Sequence, residues 1–76
     1  MELNQPETMY LGYEKGKVLY LREGFFKQIV RINPSHKEYQ RLVGFLGEDY
    51  AVSFSKMDVE YQYLYNLYKG LLEGGV

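Results

Sequence analysis

The sequence predicts a small α+β domain in the order βββαβα: a three-stranded antiparallel meander, a helix, a short fourth strand and a C-terminal helix, arranged in two layers. Three observations carry this. Strand-forming residues broken by glycine turns fill residues 8–32. Apolar side chains recur at helical spacing from Tyr39 to Leu46. The chain has 76 residues, enough for one domain and for one thin core.

Residues 1–7 are polar and contain Pro6, and they read as a flexible lead-in to a single domain over 8–76. Residues 8–14 and 17–22 are rich in strand formers, and Lys15-Gly16 lies between them. Glycine accepts the positive φ of a tight turn, so the pair is expected to form a β-hairpin. A second turn at Glu23-Gly24 leads into a third strand over 25–32. Period-two alternation puts Phe26, Val30 and Ile32 on its core face and Phe25, Lys27, Ile29 and Arg31 on the other.

Asn33-Pro34 ends that strand. Ser35 and Glu38 have capping-box spacing, which predicts a helix over 35–46. Tyr39, Leu42, Val43 and Leu46 form its buried stripe, and Gly47 stops it. Residues 50–54 alternate as a short strand, with Ser55 or Asp58 placed to cap a second helix. Residues 58–73 carry both periods. Val59, Tyr61, Tyr63, Tyr65 and Leu67 alternate, while Leu64, Leu67, Leu71 and Leu72 with Tyr61, Tyr65 and Tyr68 fit a helical face. Length favours the helix, which Gly74-Gly75 would end; a strand there would instead give a small β-barrel.

Composition excludes several classes. With no cysteine there is no disulfide and no thiolate metal site. A core of this size supplies about 3–5 kcal/mol, so efficient packing or a partner has to support it. The opening residues are acidic, unlike a signal peptide, and no apolar run is long enough to span a bilayer. A cytoplasmic protein without membrane contact is expected.

The net charge of −1 conceals polarity along the chain: residues 1–14 carry −3, residues 15–41 carry +5 and residues 42–76 carry −3. Any surface for anions therefore lies in the middle block.

Motifs with chemistry are weak. His36 is the single histidine, and Glu38 is too near along a helix to orient it as a general base. Glu48-Asp49 lacks a third ligand at metal-binding spacing. Gly44-Phe45-Leu46-Gly47 spells a GxxG string, but its apolar centre suits a helix end better than a phosphate clamp. No phosphate loop or dinucleotide fingerprint occurs. The expectation is a protein without catalytic residues, metal or cofactor.

Two surfaces stand out. The chain has nine tyrosines and no tryptophan. On the last helix, leucines and tyrosines cover an arc wider than the ~100° that one-sided packing needs. Tyr61, Tyr65, Tyr68 and Leu72 are the expected interface of a non-enzymatic protein-interaction module: a small adaptor, subunit or inhibitor that self-associates or docks on a protein partner. The alternative is a small nucleic-acid-binding domain using Tyr20, Arg22, Phe25, Lys27 and Arg31 on one sheet face. The pI of about 5.8 is low for that role.

Overall fold

The structure, a computed structural model, describes residues 5–24 and 28–74. Six elements occur in the expected order: β1 (Thr8–Glu14), β2 (Val18–Glu23), β3 (Ile29–Arg31), α1 (Tyr39–Leu46), β4 (Ala51–Ser55) and α2 (Tyr61–Leu72). The strands form one open antiparallel sheet in the order β3-β2-β1-β4, so residues 61–72 are helix and the barrel is ruled out.

The β1–β2 hairpin turns at Lys15 and Gly16, both at positive φ (56° and 76°), as a type I′ turn requires at its two central residues. The Lys17 N–H closes the turn on the Glu14 carbonyl at 3.2 Å. β3 is shorter than the 25–32 expected. It pairs only Ile29, Val30 and Arg31 with Arg22, Leu21 and Tyr20, and residues 25–27, with Phe25, Phe26 and Lys27, lie outside the described residues. Val30 and Ile32 do enter the core, while Ile29 and Arg31 face out.

α1 begins at Tyr39, four residues later than the capping box predicts. Asn33 explains the delay. Its side-chain oxygen accepts both the Ser35 N–H (2.9 Å) and the Ser35 hydroxyl (2.8 Å), which occupies the intended cap. Two successive i,i+3 bonds, from His36 N–H to Asn33 and from Tyr39 N–H to His36, carry the chain through turns. The first α-type bond comes next, from Leu42 N–H to Glu38. The far end is as expected, with Gly47 at φ 62°. Ser55 and Asp58 do not cap α2 either. They close a turn reciprocally: Ser55 N–H donates to the Asp58 carboxylate and Asp58 N–H to the Ser55 carbonyl, both at 2.9 Å.

Both helices lie on one face of the sheet. Met9 and Leu11 of β1, Leu19 and Leu21 of β2, and Val30 meet Leu42 and Leu46 of α1 and Tyr61, Leu64 and Tyr68 of α2. The expected lead-in is tied down at its end. Pro6 is buried and its carbonyl accepts the Tyr61 hydroxyl, while the Glu7 carbonyl accepts Lys56 N–H at 3.2 Å.

Candidate interaction surfaces

The tyrosine arc of α2 could either pack at home or serve as an interface, and the structure buries two of its three tyrosines. Tyr61 and Tyr68 are each 2% exposed and belong to the core with Leu64. The spacing 61, 64, 68 is the i, i+3, i+7 of a buried stripe. Burial pushes both hydroxyls up to about 12, with neighbouring Glu23 and Tyr65 adding to the shift. Tyr61 can be buried because its hydroxyl donates a hydrogen bond to the Pro6 carbonyl. The Tyr68 hydroxyl has no hydrogen-bond partner among the described residues. Tyr65 stacks between these two, with centroids 6.0 Å and 6.4 Å away, and Lys69 lies 5.9 Å from its ring. Of the four residues singled out on α2, only half-buried Tyr65 and exposed Leu72 reach the surface.

The outer sheet face does bring together Tyr20, Arg22 and Arg31, as the alternation requires. Their charges are already engaged. Arg31 reaches across β2 to Glu14 in a two-pronged pair at 2.7 and 2.9 Å. That bond, more than the nearby charge, holds the Glu14 carboxyl below its usual range. Arg22 stacks over the Tyr10 ring, 4.2 Å from its centroid. Tyr20 lies over Gly12, where an added Cβ would stand 3.1 Å from its hydroxyl. Phe25 and Lys27 of the same candidate set lie outside the described residues.

His36 borders a groove of about 340 Å³ between the turn before α1 and one side of α2. Its Nδ1 accepts the Glu38 backbone N–H at 3.0 Å, while the Glu38 carboxylate turns away to accept the Tyr63 hydroxyl. The carboxylate therefore does not orient the imidazole. The Tyr63 bond, ahead of nearby Arg41, Lys37 and His36, lowers the Glu38 pKa. Burial, then Glu38 itself, pushes the Tyr63 hydroxyl up to about 12, so it stays a donor. A depressed folded-state carboxylate adds stability above its unfolded pKa and loses it as pH falls through the folded value. Tyr63→Phe is therefore expected to be less stable than the parent at neutral pH, with the difference shrinking as Glu38 protonates. Urea midpoints across the acid range measure this, and a difference independent of pH would refute the coupling. Among the described residues no group of three or more His, Asp or Glu could hold a metal ion, and no helix is long and apolar enough to cross a membrane. In the GxxG string Leu46 is buried and Phe45 packs on Phe54 and Tyr63, so it is the end of α1.

Sequence reasoning passed over the free edge of β4. Among the described residues β4 is paired on one side only, with β1. Two flanking bonds fix its phase: Tyr13 N–H to the Tyr50 carbonyl and Lys56 N–H to the Glu7 carbonyl. By alternation, Val52 and Phe54 turn their backbone groups to β1, and Ala51, Ser53 and Ser55 turn theirs outward. Asp58 already occupies the Ser55 N–H, and the outward groups of Ala51 and Ser53 are open among the described residues. β4 has no charged residue and no proline, the usual guards of an edge. Inside it, Val52 and Phe54 are only half-buried. The three most exposed large apolar side chains among the described residues flank it: Tyr50 (71%), Met57 (92%) and Val59 (89%). The signal in the sequence was the run Tyr50–Ser55 without a guard, but edge position depends on strand order.

Fold and surfaces define a small two-layer α+β domain with an open sheet face and one unguarded edge. Comparison with protein-family models, with curated proteins and with solved structures finds no match.

Proposed function

We propose that the chain is a protein-interaction module without catalysis of its own, and that it makes its contact by accepting a strand along β4. The observation that carries this is the gathering of Tyr50, Met57 and Val59 around an edge whose outward backbone groups at Ala51 and Ser53 are open. Main-chain hydrogen bonds give such a contact its affinity, and exposed apolar side chains beside the strand give it selectivity. Tyr65 and Leu72 are what α2 can add, since Tyr61 and Tyr68 support the core.

The test is selection from a random peptide display library, followed by amide exchange. Extended, β-prone peptides are expected to be enriched and to slow exchange at Ala51 and Ser53. Ser53→Pro removes an outward N–H at an edge position, where proline is tolerated, and is expected to lose binding while remaining folded. Binding that protects α2 around Tyr65 and Leu72 but leaves β4 unchanged would move the contact to the helix.

A second reading keeps the outer sheet face as a nucleic-acid surface, favoured by the meeting of Tyr20, Arg22 and Arg31 there. It requires Arg31 to leave Glu14, and oligonucleotide binding that weakens steeply with salt. No binding at low salt would remove it.

A further inference from the structure

From the edge of β4 we infer that the strand it accepts is the β4 of a second copy, in an antiparallel pairing centred on Val52. This rests on the reading of β4 as a strand-accepting edge and names the occupant.

The open backbone groups set the register. Ala51 and Ser53 are two residues apart and both face outward, while Ser55 is occupied by Asp58. A two-fold axis at Val52 places Ala51 opposite the second copy's Ser53, and Ser53 opposite the second copy's Ala51. Both become reciprocally hydrogen-bonded pairs, and the Ser55–Asp58 turn stays intact. Centring on Ser53 instead would set Ala51 against the blocked Ser55.

Side chains agree with the same register. On the helix side of the sheet, Val52 meets its own counterpart and exposed Tyr50 meets the second copy's half-buried Phe54. These are the non-hydrogen-bonded positions, where side chains come closest, and aromatic pairs there are favourable. Beyond the strand, Glu48 in the turn before it and Lys56 in the turn after it put opposite charges near the two ends of the contact. Among the described residues Lys56 has a loose partner at home, the exposed Glu7 at 3.9 Å. A strand carrying acid before it and base after it is complementary to itself when reversed.

The experiment is solution mass by sedimentation, from micromolar to millimolar concentration, on the parent and three variants. The parent is expected to approach twice its 9.0 kDa chain mass as concentration rises. Ser53→Pro is expected to stay monomeric. Glu48→Lys sets like charges opposite each other twice by symmetry and is expected to weaken the dimer roughly tenfold. Glu48→Lys with Lys56→Glu restores opposite charges and is expected to recover most of that loss. That recovery requires Glu48 of one copy to face Lys56 of the other, as an antiparallel contact along β4 brings about.

A dimer indifferent to Ser53→Pro, or a charge swap that recovers nothing, overturns the pairing. A parent that is monomeric throughout overturns it as well. In that monomer, selected peptides that still protect Ala51 and Ser53 leave the edge reading standing with another chain as its occupant. If no peptide binds there either, both readings fall.

Discussion

Tyr61→Ala and Tyr68→Ala are each expected to unfold the domain near room temperature, while Tyr65→Ala leaves it folded. Truncating a buried aromatic costs about 3–5 kcal/mol, and a core of this size supplies about the same. Tyr61 and Tyr68 stand at the centre of the helix–sheet contact, with Leu64 between them and Met9, Leu11 and Leu21 in the same core. Tyr65 rests on their outer side and loses stacking rather than core volume. Conservative changes separate ring from hydroxyl. Tyr61→Phe is expected to cost about 1–3 kcal/mol, because the Pro6 carbonyl loses its donor. Tyr68→Phe deletes a hydroxyl without a partner among the described residues and is expected to be neutral or stabilising by about 1 kcal/mol. Circular dichroism melts measure all five. A folded Tyr68→Ala variant would put α2 in a different rotation from the one described.

Gly12→Val is expected to produce the next largest loss, about 1–3 kcal/mol, and to loosen β4 selectively. A Cβ at Gly12 would stand 2.9 Å from both the Ala51 Cβ and the Tyr50 carbonyl oxygen. That carbonyl already accepts the Tyr13 N–H at 3.0 Å, so it cannot retreat without giving up a bond between β1 and β4. The Tyr20 ring, lying across the outer face, closes the remaining side. Glycine thus sits in the middle of a central strand because an aromatic from the next strand fills the space its side chain would take. Thermal melts give the total, and amide exchange along Ala51–Ser55 shows where it falls. An unchanged melting temperature would mean that β4 approaches β1 less closely than the structure shows.

What the sequence could reveal was whatever depends on neighbours in the chain. The turn at Lys15-Gly16 and the stripe Tyr39, Leu42, Val43, Leu46 are short-range patterns, and both are as expected. The start of α1 was missed because other acceptors took the capping-box donors: Asn33 Oδ1 holds the Ser35 N–H and His36 Nδ1 holds the Glu38 N–H. The rotation of α2 could not be read. Its apolar arc covers about half the helix, too wide to tell which tyrosines lie at its centre, and the acceptor of the Tyr61 hydroxyl, the Pro6 carbonyl, is far away in sequence. The open sheet face was visible in the alternation of 18–31, but the Glu14–Arg31 pair across it needed the strand order. The β4 edge needed it too, since nothing local says that β4 pairs with β1 and not with β3.

That strand order also sets a sequence of events. β1 and β2 are joined by a short turn, so their hairpin can form within microseconds. β4 closes on the other side of β1 through Gly12↔Ala51 and Thr8↔Ser55, partners 39 and 47 positions apart, and loses more loop-closure entropy before any contact offsets it. During synthesis the hairpin leaves the ribosome long before β4 does. Until β4 arrives, β1 exposes the edge it will later share, and a β4 from a neighbouring chain competes there against the higher effective concentration of its own. The same short, uncharged strand would then sit at the point where folding and exchange of segments between chains compete.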